Sequence, residues 1–591
     1  MAPEVKDLLN PLSALKYLAE KPHTLRLPFE KKEPADRTRG FHANDLDLCI
    51  GCGNCAKICN CEAIEMVEVE GVPDEPGRTT LRPRVDYGRC SFCAQCVDVC
   101  PTGSLKLSRD FLLVSENRDD FVFVPDNTRD DGKGWRSDPE ASLLVYQRVE
   151  MPERDPEERK RDFEWVLLGF TEEQAVLEAE RCLGCGLCIQ SCPTQMDIPE
   201  YIAAIARRDY EEALRIMFRT NPFSEVCGIV CTHRCETACV YAHRGEPIQI
   251  RFLKGFATSQ IDDYRRVLNP QIPPSTGKRV AIIGAGPAGL TAAYYLRLKG
   301  HEVTVFEALP VPGGMMRVGI PRYRLPQKTL DKEIGYILSL GVDLRLNTRV
   351  GTDVPFPQLL DEYDAVFISV GHHKPWTMGI PGEDAQGVWQ AIEFLKRVNL
   401  GEPVEVGKRV VVVGGGDVAM DACRTPLRLG AEKSYVMYRR RIEDMPASDE
   451  EKQEALDEGV EFLPQTLPVE IVKDTSGRMV AVKYVKTRMV DQGPGKRPKP
   501  VPITDEVYTL EADMLIEAIG QTVDLSFVPE EIRQAITDER GKVVANVHRQ
   551  TPVPKIFVGG DIFNPRADVI SAVADGRHAA TGIDLFLKGE L

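Results

Sequence analysis

Residues 278–296, KRVAIIGAGPAGLTAAYYL, decide the fold of the larger part of this chain. An apolar run leads into Gly284, Gly286 and Gly289 at the spacing G-x-G-x-x-G, and a helix-forming stretch follows. Strand, glycine turn and helix in that order open a βαβ unit that binds a dinucleotide. The first glycine allows the tight turn, the second lets the backbone approach a pyrophosphate, and the third lets helix pack on strand. Pro287 and Ala288 open the helix, whose unpaired N–H groups suit a diphosphate. The next strand, EVTVF, ends at Glu307, where an acid accepts hydrogen bonds from a ribose.

The architecture repeats at 408–430, KRVVVVGGGDVAMDACRTPLRLG. Gly414, Gly416 and Ala419 give G-x-G-x-x-A, with Asp417 and Val418 between them. The following strand ends not in an acid but in Arg439 and Arg440. A carboxylate there would accept the 2′-hydroxyl of NAD and repel a 2′-phosphate, whereas guanidiniums bind the phosphate. NADP(H) is therefore expected, with NAD(H) left open. The plainer alternative is a solvated, charged strand end. Cys423, on the helix, reads as core packing.

Upstream, sixteen of the eighteen cysteines fall into four quartets. Three share the rhythm C-x2-C-x2-C-x3-C: Cys49, Cys52, Cys55 and Cys59; Cys90, Cys93, Cys96 and Cys100; Cys182, Cys185, Cys188 and Cys192. The fourth is Cys227, Cys231, Cys235 and Cys239. The triple run is the bacterial ferredoxin signature for [4Fe–4S] clusters, in which the fourth cysteine ligates the other cluster. Cys49, Cys52, Cys55 and Cys100 would then hold one cluster, and Cys90, Cys93, Cys96 and Cys59 a second. Structural zinc is the alternative, but it favours paired knuckles over triple runs. Cys61 reads as a bystander.

The bulk properties narrow the function classes. A net charge of −16 and a pI near 5.3 argue against nucleic acid as a partner. No apolar run approaches the length that spans a bilayer, and the N-terminus lacks a cleavable apolar signal, so no membrane insertion and a cytoplasmic location are expected. Many cysteines in a large cytosolic protein point to metal rather than to disulfides.

The segment around Cys90–Cys100 resembles the eight-iron ferredoxin subunit of respiratory complex I and related hydrogenases, with Asn60 where that family usually has proline. ERCLGCGLCIQSCPTQMDIPEYI, NPFSEVCGIVCTHRCETACVYA and everything after them resemble the small (β) subunit of bacterial glutamate synthase. They are also similar to the N-terminal half of dihydropyrimidine dehydrogenase and to the large subunit of the transhydrogenase NfnAB. The resemblance implies FAD in the first nucleotide site. It places PGGMMRVGIPRYRLP beside the flavin, with Gly313, Gly314 and Arg324, and adds Gly371, Gly560 and Asp561 from two later motifs; ADVISAVADGRHAA would start a helix at the flavin ring. It implies ligation by Cys182, Cys185, Cys188 and Cys239 for one cluster, and by Cys192, Cys231 and Cys235 plus a Gln or Glu for the other. Lys254 stands at that last position. An ammonium has no lone pair to give, so Cys227 is the expected substitute, with a water or an open iron site as the alternative.

The expected fold is multidomain α/β, with two Rossmann-like nucleotide-binding domains, a helical [4Fe–4S] domain and an N-terminal two-cluster α+β ferredoxin domain. The boundaries read from sequence are a 1–40 extension containing a short amphipathic helix, a 41–110 ferredoxin-like domain, a 111–165 connector, a 166–265 helical cluster domain, a FAD domain built from 275–379 and 509–591, and an NAD(P) domain at 380–508. Thr171 and Gln174 have capping-box spacing at the head of a helix. No acid, base or nucleophile constellation for a further substrate is visible. The expected function is electron transfer between NADP(H) and a ferredoxin or partner catalytic subunit, through FAD and four [4Fe–4S] clusters. Candidate partners are a 2-oxoacid:ferredoxin oxidoreductase, a formate dehydrogenase, a hydrogenase or a soluble ferredoxin. Alternatives are an electron-bifurcating flavin subunit, a glutamate synthase small subunit and a non-catalytic iron–sulfur scaffold.

Overall fold

A computed structural model describes residues 15, 17–21, 24–26, 29–30, 32–72, 76–137, 144–243, 245–493 and 496–591. Most of the stretch where an N-terminal docking helix was expected, including residues 1–14, lies outside the described residues. The chain divides into two compact units, Met1–Leu144 and Val145–Leu591. Among the described residues no helix is long and apolar enough to cross a membrane.

In the first unit, strands His42–Asn44 and Leu105–Leu107 pair antiparallel, with His42 opposite Leu107 and Asn44 opposite Leu105. Ile64–Glu68, Leu81–Asp86 and Val122–Phe123 form a second sheet. Two one-turn helices, Asn54–Lys57 and Gln95–Asp98, each begin inside a cysteine run. They begin there because the backbone on either side of the second cysteine turns left-handed. Gly51 and Gly53 adopt φ of 70° and 74°; in the second run Phe92 and Ala94 adopt 53° and 73°. That conformation costs a non-glycine residue roughly 1–2 kcal/mol, so the second run holds strain that the first avoids. The core packs Phe41, Val85, Tyr87, Val97, Leu105 and Leu107.

Two expected boundaries move here. The ferredoxin-like module does not stop at 110. Val122–Phe123 adds a strand to Leu81–Asp86, and Trp135 packs on the core. Trp135 N–H donates to the Thr38 carbonyl at 3.1 Å, and Gly134 N–H to that of Asp36 at 2.5 Å. Thus part of the 1–40 extension and much of the 111–165 connector belong to this unit. Turn-rich composition marked an edge of the module, not a linker.

The second unit opens with helices. Thr171 and Gln174 form the expected capping box on Glu172–Glu180. Ile198–Ala206 and Tyr210–Phe218 bury their apolar faces and break where Arg208 turns to φ 60°. The first nucleotide domain is a five-stranded parallel sheet in the order Ile556–Val558, Ala365–Ile368, Arg279–Ile283, Glu302–Phe306, Asp343–Arg345. The second is a parallel sheet in the order Val388–Gln390, Met514–Glu517, Arg409–Val413, Lys433–Tyr438, Glu461–Pro464. A three-stranded antiparallel sheet, Thr466–Lys473, Met479–Val490 and Lys499–Glu511, extends that domain.

The expected return to the FAD domain at 509 is therefore too early. Met514–Glu517 pairs with Arg409–Val413 at the centre of the second sheet. A short apolar strand suits either parallel sheet, so composition could not assign it. The crossing lies at Lys374–Pro375 and Gln521–Thr522, which pair antiparallel between the two domains.

Candidate functional site

Cys49, Cys52, Cys55 and Cys100 line one cavity, with Pro83 and Leu105 in its wall. Three sulfurs come from one run and the fourth from the other, in the interleaved order. Asn44 and Asn54 line the same cavity. Asn44 is fully buried, and neither its amide nitrogen nor its oxygen has a hydrogen-bond partner; Asn54 Nδ2 also lacks one. An unpaired buried amide costs about 1–3 kcal/mol, so this wall is built for an acceptor inside it. The sulfurs of a [4Fe–4S] cluster are such acceptors. The positive-φ loops add backbone N–H groups of the kind that form anion-binding nests at Fe–S sites. Donors and wall fit that group.

The second quartet is equally interleaved. Burial pushes the Cys96 thiol up, and Cys90, Cys93 and Cys59 push it further, as facing sulfurs do. Phe92 N–H donates to Cys90 Sγ at 3.4 Å and Ala63 N–H to Cys59 Sγ at 3.3 Å. Cys61 is exposed, its Sγ 3.6 Å from Ser91 Oγ. One group invisible to motif reading joins the set: buried His42, whose Nε2 lies 3.2 Å from Cys96 Sγ. Burial pulls His42 down to about 4.

In the helical domain Cys182, Cys185, Cys188 and Cys239 line a second cavity, walled by Ile198, Ile202, Val240 and Ile250. The remaining four cysteines, Cys192, Cys227, Cys231 and Cys235, lie around Lys254, which is buried on helix Ile250–Ser259. Burial alone would lower its ammonium, but Cys231, Cys227, Cys235 and Cys192 outweigh it and hold it protonated. Cys227 is wholly buried on Ser224–Val230. The two helices nearly touch at Gly228 and Gly255: a Cβ on Gly228 would lie 2.4 Å from Gly255 Cα. That crossing sets the neighbouring Cys227 beside Lys254.

The first dinucleotide loop has the geometry its glycines imply. Gly284 turns at φ 104°, and a Cβ on Gly289 would lie 2.0 Å from the Gly284 carbonyl oxygen. Around Gly286 the space is open, with Gly314 Cα the nearest atom to a notional Cβ at 3.9 Å. Gly286 caps helix Pro287–Leu298, whose first turn carries Ala288. Gly313 N–H donates to the Ala285 carbonyl at 2.8 Å, which draws the Gly313–Gly314 segment onto the loop. Glu307 accepts from Ala285 N–H and Leu309 N–H, each at 2.8 Å, and each oxygen keeps a lone pair for a ribose hydroxyl. Gly371 and Asp561 meet, with Asp561 Oδ2 3.9 Å from a notional Gly371 Cβ, and Gly560 approaches Ala288. Burial raises the Asp561 carboxyl to about 6, helped by Asp568 and Asp575. An open cradle of glycines, a buried acid at one end and a second acid at the other fit FAD.

Arg324 is the exception. Its Nη1 donates to both Asp421 oxygens at 2.9 Å, and its Nη2 pairs with Glu451 at 2.5 Å. Expected beside the flavin, it is instead committed to carboxylates of the second nucleotide domain.

In that domain Gly414 turns against Ala518, buried Ala419 takes the third position, and Gly416 stays open, with Pro446 3.9 Å from a notional Cβ. Asp417 Oδ1 accepts from Ser448 N–H at 3.3 Å, and partly buried Val418 follows in the same helix. Arg439 is exposed at the strand end, and Arg440 Nε donates to the Pro498 carbonyl at 3.2 Å. A third cation joins them, because Arg497 Nη2 donates to Tyr438 Oη at 3.3 Å. The basic run at 496–499 was its only sequence signal. Three guanidiniums at the end of Lys433–Tyr438 fit a 2′-phosphate.

The final helix, Val569–Lys588, ties the flavin domain to the cluster domain. Its N-cap Asp568 accepts from Ser571 N–H at 2.9 Å and from Thr232 Oγ1 and Arg234 Nη2 at 3.2 Å. Arg577 Nη1 donates to the Thr194 carbonyl at 2.8 Å. The segments that carry Cys192, Cys231 and Cys235 are thereby fastened to the element expected at the flavin ring.

Paired nucleotide domains with an acid at the end of one second strand and arginines at the end of the other, in a chain that also carries ferredoxin-type cysteine quartets, define the two-dinucleotide-domain class. The chain belongs to the pyridine nucleotide-disulphide oxidoreductase family, whose profile matches residues 278–576. Residues 159–265 match dihydropyrimidine dehydrogenase domain II, 4Fe-4S cluster, and residues 48–104 a 4Fe-4S dicluster domain. The NADP(+)-dependent formate dehydrogenase subunit beta of Moorella thermoacetica is 42% identical over 426 residues, covering 68% of this chain and 60% of the relative. The Escherichia coli glutamate synthase [NADPH] small chain is 35% identical over 470 residues, covering 76% and 98%. AegA of Escherichia coli is 33% identical over 579 residues, covering 90% and 85%. The chain thus spans about three fifths of the length of the first of these. The resemblance to the glutamate synthase small subunit is borne out.

Proposed function

We propose that this chain moves electrons between NADP(H) and a redox partner, with FAD held by the first nucleotide domain, NADP(H) by the second, and a [4Fe–4S] cluster by each cysteine quartet. When bound, FAD links two-electron hydride chemistry to one-electron carriers. The protein's part is placement. Gly286 and the Pro287 helix take the diphosphate, Glu307 the ribose, and Asp561 the ribityl end. Arg439, Arg440 and Arg497 select the phosphorylated nicotinamide nucleotide. Cys227 completes the quartet of Cys192, Cys231 and Cys235, and Lys254 balances its charge.

The observation that carries this reading is the fastening of both cysteine loops to the final helix through Asp568 and Arg577. That is where an electron leaving the flavin must go. The far-end chemistry is assigned to another polypeptide. Relatives named as subunits of a formate dehydrogenase and of glutamate synthase support such a partner, and a formate- or 2-oxoacid-oxidising subunit fits the reading.

The test is anaerobic addition of NADPH to the reconstituted holoprotein. Flavin bleaching at 450 nm should be followed by cluster signals in electron paramagnetic resonance, with iron for all four quartets. Bleaching without any cluster signal would overturn the proposal.

A further inference from the structure

We propose that one three-residue strand, His42–Asn44, supplies a side-chain N–H donor to each cluster of the N-terminal unit and so raises both of their reduction potentials. The proposal rests on the reading that this unit holds two [4Fe–4S] clusters.

Residues two apart in a strand share a face. Here that face carries His42 and Asn44, whose surroundings differ. Asn44 is fully buried in the wall of the Cys49, Cys52, Cys55 and Cys100 cavity, and its amide has no partner. His42 lies at the other quartet, its Nε2 3.2 Å from Cys96 Sγ.

Chemistry fixes the direction of the His42 bond. A sulfur bound to iron carries no proton, so it can only accept, and Nε2 must carry the hydrogen. On the other side of the ring Nδ1 lies 3.2 Å from Tyr87 Oη, and that oxygen also accepts from His42 backbone N–H at 3.0 Å. Tyr87 therefore anchors the ring that delivers a donor to Cys96.

The internal repeat shows that the histidine is not imposed by the fold. His42 stands seven residues before Cys49, and seven residues before Cys90 stands Pro83. Pro83 lies in the wall of the first cavity and has neither a side-chain donor nor a backbone N–H. One half of the repeat carries a donor at this position and the other does not.

Reduction adds one electron to a cluster, with no proton moved and no bond formed to either residue. Hydrogen bonds to the sulfurs stabilise the added negative charge and raise the potential.

The experiment is a potentiometric titration, followed by electron paramagnetic resonance, of the full-length anaerobic holoprotein and its variants. His42→Leu should lower the reduced-to-oxidised ratio of one cluster about tenfold at fixed potential, a shift of about 59 mV. Asn44→Leu should do the same to a different cluster. Tyr87→Phe should produce a smaller shift in the same cluster as His42→Leu. Unchanged midpoints in both leucine variants, with full iron content, would overturn the proposal, as would a shift of the same cluster by both. If His42→Leu loses iron, Tyr87→Phe decides, and a full-iron Tyr87→Phe protein with an unmoved midpoint overturns the assignment. Wild-type protein with no iron at the two N-terminal quartets would instead sink the cluster reading beneath it.

Discussion

At the level of single residues, the two nucleotide loops make the sharpest predictions. Gly289→Ala puts a Cβ 2.0 Å from the Gly284 carbonyl oxygen and 2.8 Å from Ser369 Oγ. The Gly284 backbone cannot yield without opening the turn, so the variant should lose its flavin, read as the 450 to 280 nm absorbance ratio after desalting. On the proposed assignment of Arg439 to the 2′-phosphate, Arg439→Ala removes a charge-assisted hydrogen bond worth about 1.5–3 kcal/mol. The KM for NADPH should rise about tenfold to a hundredfold, with little change for NADH. The glycine turns were legible because their spacing sets the backbone geometry. His42, Asn44 and Arg497 were not. A donor in a three-residue strand has no periodicity, and its use appears only once the sulfurs it faces are placed.

Secondary-structure elements were legible where local chemistry fixed them. The Thr171 capping box follows from local spacing, whereas the break between Ile198–Ala206 and Tyr210–Phe218 was not read from the apolar pattern, which runs on through it. Domain membership did not follow. Val122–Phe123 and Met514–Glu517 each had to choose among sheets, and strand pairing is decided by partners distant in sequence. The crossing of Ser224–Val230 over Ile250–Ser259 is equally non-local. Gly228→Ala should force these helices apart, because its Cβ would lie 2.4 Å from Gly255 Cα and N. Overpacking of this kind costs typically 1–3 kcal/mol. The expected result is loss of iron from one cluster in the helical domain, measured by iron quantitation, while FAD content stays at the wild-type level.

Over the whole molecule, a buried ion cluster joins the segment before the helical domain to both nucleotide domains. Arg159, Arg424 and Arg428 converge on Glu458 at 3.1, 2.7 and 2.6 Å, and all four side chains are buried. The Arg428 guanidinium stacks on Tyr323 at 3.7 Å, while neighbouring Arg324 reaches Asp421. Burial would raise the Glu458 carboxyl, but Arg428 and Arg424 outweigh it and hold it at about 2, against an ordinary 4.5. A carboxyl lowered on folding stabilises above its unfolded value, and that contribution disappears as pH falls through its folded value. Thermal unfolding midpoints should therefore drop between about pH 4.5 and pH 2, and Glu458→Gln should flatten that slope while being less stable at neutral pH. Arg424→Met breaks the cluster from the other side and should cost about 3–5 kcal/mol.

The antiparallel pair of Lys374–Pro375 with Gln521–Thr522 has a practical corollary. The chain departs and comes back through two adjacent hydrogen-bonded strands, so the intervening stretch has its ends side by side. A counterpart of different coenzyme preference can be grafted at the same scar provided it keeps the carboxylates of Glu450 and Glu458, which hold Arg251 and Arg159 outside that stretch.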